Sequence, residues 1–384
     1  MRVLIAPDSF KESASARDAA EAIGLGVRRA CPDVEVVLLP MADGGEGTVE
    51  ALVAATGGRL VEEVVTGPAG EPVKAVYGLL DEGATAVIEL AAASGLALTP
   101  VSKRDPRTAT TRGTGELMRR ALDAGVRRII VGIGGSATND AGAGMAQALG
   151  YNLLDQRGNE LSPGGAALAS LAVIDRSKVH PRLTSTEILV ACDVANPLCG
   201  PEGASHVYGP QKGATPDVVE ELDAALRHFA AIVHTHLGKD VLNLSGAGAA
   251  GGMGAGLVAF ADARLRPGFE LIAETCRLED HVRQADLVFT GEGSLDGQTA
   301  YGKTPAGVAR LAGRYGVPVV ALAGRLGSGY EALYVQGLTA AFAICDGPLT
   351  LAEAMQRTCA LLAERAEAVV RLWRAGKIRY AGSP

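Results

Sequence analysis

Aromatic side chains are scarce in this chain: Phe, Trp and Tyr make up 4% of its 384 residues. The core must therefore be packed from Ala, Val, Leu and Ile. The six cysteines, Cys31, Cys192, Cys199, Cys276, Cys345 and Cys359, contain no CxxC pair and no Cys/His cluster with zinc spacing. Zinc ribbons and disulfide frameworks are excluded, and reduced, mostly buried thiols are expected. The histidines show no HxxxH or HExxH grouping and no GxSxG elbow occurs, so metal hydrolase and serine hydrolase readings lack support. Basic residues do not dominate: the net charge is −7 and no basic patch is visible, so no nucleic-acid partner is expected. No apolar run is long enough to span a membrane, and the strand pattern Val3 to Ala6 starts without a signal-peptide region. A cytoplasmic chain with no membrane partner is expected, its oligomeric state open.

What is abundant is glycine, 50 residues, or roughly 13% against a usual ~7%. Glycine in excess without low complexity points to tight loops around ligands. The densest example is GEGSLDGQTAYGK, Gly291 to Lys303, directly after the apolar segment Ala285 to Thr290. It holds two carboxylates, Glu292 and Asp296, which can hold magnesium or take a proton. Gln298 adds an amide, and Lys303 can meet a phosphate. Pro305 then opens a helix, so the loop sits on a positive helix end. This is equipment for handling phosphate.

Along the chain, apolar runs alternate with amphipathic segments. The first 59 residues read strand, helix, strand, helix; residues 284–384 continue with three more strands and their helices. Joined, they give five strands of a doubly wound parallel sheet, so the fold class is α/β, with residues 1–59 and 284–384 forming a discontinuous domain. Residues 60–283 read as a second, inserted α/β domain that begins with antiparallel strands from Leu60 to Leu90. In open α/β sheets ligands bind beyond the carboxyl ends of strands. Here those ends carry Asp8-Ser9-Phe10-Lys11, Asp43 to Gly47, the Glu292 loop, Gly324-Arg325 and Asp346-Gly347.

Two motifs in the middle point the same way. Gly134-Gly135-Ser136-Ala137-Thr138-Asn139-Asp140 follows the strand pattern Ile129 to Ile133 and opens a helix, which suits an anion; the plainer reading is a turn capped by Asn139 or Asp140. Asp193 follows the strand Glu187 to Ala191 and is either a base or metal ligand, or an Asx-turn ahead of Pro197. Two formal patterns are weaker. Gly246 to Gly251 fits GxGxxG but lacks the second strand ending in an acid. Gly297 to Thr304 fits GxxxxGK[ST], yet Gly291 to Asp296 separates it from its strand.

Taken in order, APDSFKES (Ala6 to Ser13), PMADGGEGT (Pro40 to Thr48), GGSATNDAGAGM (Gly134 to Met145), CDVANPLCGPEGAS (Cys192 to Ser205), QKGA (Gln211 to Ala214), GAGAAGGMG (Gly246 to Gly254) and TGEGSLDGQTAYGK (Thr290 to Lys303) resemble the class I glycerate kinases, the bacterial glycerate kinase type 1 family. The resemblance spans nearly the whole chain. It implies phosphoryl transfer from ATP to a hydroxyl of D-glycerate with Mg2+, commonly giving 2-phosphoglycerate, on a flavodoxin-like domain interrupted by a second α/β domain.

Roles come from the needs of phosphoryl transfer. Glu292 and Asp296 are the metal candidates. Lys303 is a catalytic phosphate contact, and Gly134, Gly135, Ser136, Thr138, Asn139, Asp140 and Gln298 form the nucleotide and phosphate set. Asp193 is the base, with Asp8 and Asp296 as substitutes. Asp8, Ser9, Lys11, Asp43 and Arg325 form the substrate set, in which Ser9, Lys11 and Arg325 suit the carboxylate of glycerate. These roles can be exchanged without contradicting the sequence. A nicotinamide-dependent hydroxy-acid oxidoreductase and a non-catalytic glycerate sensor are the alternatives.

Overall fold

A computed structural model describes residues 1–381. Its strands, in chain order, are β1 (Arg2–Ile5), β2 (Glu35–Leu38), β3 (Arg59–Thr66), β4 (Pro72–Leu80), β5 (Thr85–Glu89), β6 (Arg128–Gly132), β7 (Asn152–Leu154), β8 (Val173–Asp175), β9 (Glu187–Ala191), β10 (Arg264–Arg266), β11 (Leu287–Leu295), β12 (Val319–Leu326) and β13 (Ala340–Ala343). The chain divides into two compact units. The first comprises Met1–Asp43, Glu50–Gly57 and the chain from Phe269 onward; the second comprises Gly44–Val49 and Gly58–Gly268.

The first unit is built on a five-stranded sheet in the order β13-β12-β11-β1-β2, parallel throughout. Val3 to Ile5 and Leu287 to Phe289 are almost fully buried, as strands covered on both faces must be. From β1 the chain steps one way to β2, and from β11 it steps the other way to β12 and β13. The order therefore reverses between β1 and β11, which places a crevice at their carboxyl ends. One face is covered by the helix Ala16–Ala30, started by a Ser15–Asp18 capping box. Gly26 lets it approach the long helix Thr358–Ala381 closely, because a Cβ there would lie 2.0 Å from Ala363 O.

Here β11 runs five residues further than its apolar run indicates. Ser294 pairs with Arg325 and Leu295 with Leu326, so Glu292 belongs to a strand and not to a loop. Glycine disguised this, being a poor strand former by propensity. In the strand its role is close approach: a Cβ at Gly291 would meet Leu322 O at 2.0 Å. The GQTAYGKT run therefore does follow its strand closely. Its middle is nevertheless the short 3-10 turn Thr299–Tyr301, and Lys303 is extended ahead of the helix Thr304–Arg314.

The second unit has a six-stranded sheet in the order β10-β9-β6-β5-β4-β3. Pairing is antiparallel among β3, β4 and β5 and parallel from β5 to β10. The glycine-rich run before Met253 is a packing device. Ala250, Gly251 and Gly252 take left-handed φ values of 55°, 70° and 87°, and a Cβ at Gly251 would sit 1.9 Å from Thr138 O. That close fit against neighbouring backbone removes the dinucleotide-loop reading. All six cysteines are free; Cys276 is buried, whereas Cys359 is exposed. Among the described residues no helix is long and apolar enough to cross a membrane.

Candidate active site

In the first unit the site forms at the strand-order reversal. The Asp8 N–H donates to Gly291 O at 2.8 Å, which sets Asp8 against the far half of β11. Its Oδ1 accepts the Ser9 N–H at 2.6 Å and its Oδ2 accepts the Thr304 hydroxyl at 2.8 Å. Glu292 Oε1 accepts the Thr299 hydroxyl at 2.6 Å. The same Thr299 oxygen accepts the Asp296 N–H at 3.2 Å, so one buried threonine orients two acidic residues. Asp296 Oδ1 accepts the Gln298 N–H at 2.8 Å. Lys303 occupies the N-cap position of Thr304–Arg314, adding its charge to the positive end of that helix.

Burial raises the Asp8 carboxyl from 3.8 to about 6; Asp43 raises it further, while Thr304, Ser9 and Lys11 pull it down. Burial likewise raises Glu292 from 4.5 to about 7, with Thr299 and Lys303 opposing and Asp8 and Asp296 adding to the rise. Four carboxylates thus repel one another at the end of one crevice, a field that a cation relieves. No cluster of three or more His, Cys, Asp or Glu forms a ready metal cage among the described residues. Magnesium bound with substrate phosphates needs only one or two protein carboxylates. Ser9 and Asp43 are partly exposed, and Lys11, Gln298 and Arg325 are exposed.

The second unit contributes a separate set at the carboxyl ends of β6 and β9. A Cβ on Gly132 would come within 2.6 Å of Gly44 O, and one on Gly44 (φ +93°) within 2.4 Å of Ala191 Cβ. The Gly44–Gly45 backbone therefore crosses both strand ends. Gly134 and Gly135 are exposed, and Gly135 has φ +72°. Ser136, Thr138, Asn139 and Asp140 are instead buried. Asp140 accepts four hydrogen bonds, from Thr111 N and Oγ1 at 2.9 Å and from Gly142 N and Gly144 N at 3.2 Å. Burial pushes its carboxyl up against the pull of these donors. Asn139 Nδ2 donates to Ser205 Oγ at 3.0 Å. The helix here is only Ala143–Ala148 and begins after Gly142 at φ 72°, and the Asp140 carboxylate takes the first-turn N–H of Gly144, so Asp140 caps the turn as its plainer reading expects. Thr138, Asn139 and Asp140 are thus fully buried, unlike the exposed Gly134 and Gly135 with which the sequence groups them. Asp193 is exposed, with its Oδ1 accepting the Gly268 N–H at 2.7 Å.

A family model described as the glycerate kinase family matches residues 3–374. The chain belongs to the glycerate kinase family. It is 54% identical over 373 residues to a glycerate kinase of Halalkalibacterium halodurans, covering 97% of this chain and 98% of that one. It is 51% identical over 356 residues to the glycerate 2-kinase of Escherichia coli K12, covering 93% of each. A crystal structure named as glycerate kinase 2 from Salmonella typhimurium LT2 superposes with a TM-score of 0.90 at 52% identity, covering 98% of this chain and 99% of that one. The protein is a kinase.

In this member of the glycerate kinase family, one corner of the first unit gathers Asp8, Asp43, Glu292, Asp296 and Lys303, each felt electrostatically by Asp8 or Glu292. Sequence reasoning missed the hydroxyls that orient them, Thr299 and Thr304. It noted the QKGA motif but gave no role to Lys212, a buried lysine whose Nζ donates to Ser136 and Thr138 just past the Gly134–Gly135 turn. The signal for Lys212 was a lone lysine in the run Gly209-Pro210-Gln211-Lys212-Gly213, too short to show which way its side chain points.

Proposed function

We propose that this chain transfers the γ-phosphoryl group of ATP to the 2-hydroxyl of D-glycerate, giving 2-phosphoglycerate and ADP. The observation that carries the reading is the corner where β1 and β11 end. There burial raises Asp8 to about 6 near Lys11 and Glu292 to about 7 near Lys303, and Ser9, Thr304 and Thr299 hold the two carboxylates. The relative named glycerate 2-kinase favours the 2-hydroxyl as acceptor.

Asp8, and not Asp193, is assigned as the base. A carboxyl near 6 is mostly ionised at pH 7 and still accepts a proton. Ser9 and Thr304 hold its two oxygens in place, whereas Asp193 is committed to the Gly268 backbone. The substrate oxygen attacks the γ-phosphorus as its proton passes to Asp8, and the bond to the β-phosphate oxygen breaks with ADP leaving. Lys303 meets the charge that develops on the transferred group. Glu292 and Asp296 are the residues that would hold Mg2+ with the nucleotide; their crowded, partly desolvated carboxyls fit a divalent cation. When bound, the ion neutralises charge on the β- and γ-phosphate oxygens. Lys11, Ser9 and Arg325 serve the glycerate carboxylate, Asp43 a substrate hydroxyl and Gln298 a nucleotide phosphate; within the second unit, the exposed Gly134–Gly135 backbone is the candidate for nucleotide phosphate. A cytoplasmic location fits the use of ATP and the unpaired cysteines.

The test is ATP consumption with magnesium and D-glycerate, with glycerol as control and NMR reading the phosphate position. Phosphate on the 3-hydroxyl overturns the assigned acceptor. Equal turnover of glycerol removes the carboxylate contacts. No ATP consumption with D-glycerate overturns the reaction.

A further inference from the structure

Lys212 is 2% exposed, an unusual place for an ammonium group. It ends the short turn Pro210–Lys212, and its backbone is pinned on both sides. Arg104 Nη1 donates to Gln211 O at 3.2 Å. Gly213 takes φ +97°, and a Cβ there would lie 2.5 Å from Arg104 O, so only glycine fits. The lysine side chain is thereby committed to the interior. Its Nζ donates to Ser136 Oγ at 2.9 Å and to Thr138 O at 2.7 Å. These acceptors lie just past the exposed pair Gly134–Gly135, on the turn that leaves β6. The adjacent Thr138 Oγ1 and Asn139 Oδ1 have no hydrogen-bond partner among the described residues, so these side-chain atoms do not brace the turn.

Burial lowers the lysine from 10.5 to about 7, with the buried Asp140 opposing that shift. A site that needed only filling would accept an apolar side chain at lower cost. A hydrogen-bonding amine at this point instead supplies two directed donors to one turn.

We propose that Lys212 is the positioning residue of the Gly134–Thr138 turn, holding the Gly134 and Gly135 backbone as a concavity for the polyphosphate of the nucleotide. The proposal rests on the nucleotide role given above to this turn. Lys212 acts through the turn and does not touch the reacting atoms.

The test compares the full-length enzyme with Lys212→Met and Ser136→Ala. Two readouts are used: hydrogen exchange of the 134–138 amides without ligand, and the KM values for ATP and D-glycerate beside kcat. Lys212→Met should speed exchange in 134–138. It should also raise KM for ATP by about ten- to a hundredfold while KM for D-glycerate moves by less than about threefold, the size of a lost charge-assisted contact. Ser136→Ala removes one of the two bonds, keeps the lysine, and should move both readouts the same way by less. It carries the test if Lys212→Met does not fold. Unchanged exchange in the tested variants overturns the bracing. Faster exchange with an unchanged KM for ATP overturns the link to the nucleotide. Wild-type turnover is measured in the same series: its absence overturns the assigned reaction, whereas normal wild-type turnover with unmoved variants overturns only the role of Lys212.

Discussion

Thr304 donates its hydroxyl hydrogen to Asp8 Oδ2 at 2.8 Å, across 296 residues of sequence. The bond ties the start of the helix Thr304–Arg314 to the end of β1, the first strand of the chain. It favours the ionised form of Asp8 against the burial that raises it. One hydroxyl thus partly offsets the burial and the Asp43 charge that raise the group assigned as base.

Thr304→Val removes that donor. The Asp8 carboxyl then rises further above 6, because its anion loses a partner while its burial stays. The acid limb of kcat/KM against pH should move to higher pH, with activity at pH 6 falling more than at pH 8. Stability should fall by about 1 kcal/mol. An acid limb that does not move would separate this bond from catalysis.

Asp8→Asn should lower kcat by about 10²–10⁴-fold, the usual cost of a lost general base. Asp193→Asn should leave kcat nearly unchanged, since asparagine can still accept the Gly268 N–H. The reverse ranking, read from steady-state kinetics of the two variants, returns the base role to Asp193.

Glu292 has a folded-state value near 7 against 4.5. The folded protein therefore binds more protons than the unfolded chain between these values, and its stability falls as pH rises through that window. The cost is complete above pH 7 and absent below pH 4.5. In the ligand-free protein, Glu292→Gln should gain on the wild type by on the order of 2 kcal/mol at pH 8 relative to pH 5, allowing for its partial exposure. Urea unfolding at the two pH values reads this directly. An equal difference at both would mean that Glu292 titrates normally.

Lys303→Ala should cost roughly 2–4 kcal/mol of transition-state stabilisation, or about 10²–10³ in turnover. Near-native turnover in a single-turnover assay would remove Lys303 from the reaction.

Much of the architecture was legible from local pattern. The apolar runs of β1, β6, β9 and β11 are short and nearly continuous, which marks strands covered on both faces. The alternation from Leu60 to Leu90 marks the antiparallel set β3, β4 and β5. Glycines and charges at strand ends pointed to Asp8, Glu292 and Gly134 before any contact was known. Periodicity failed where glycine replaced apolar residues, as in the extension of β11 from Gly291 to Leu295.

The sequence by itself determined the α/β class and the kinase family, because these follow from residue order and from motifs contiguous in the chain. Only the tertiary structure decided which residues of those motifs are exposed and which are buried. Asn139 and Asp140 look as available in the sequence as Gly134 and Gly135, but packing against Thr111 and Ser205 buries the first pair and leaves the second exposed. Thr304 meets Asp8, and Lys212 meets Thr138, because strands and turns distant in sequence end side by side. Burial and hydrogen-bond partners are properties of what packs around a group, and they set both its charge and its reach.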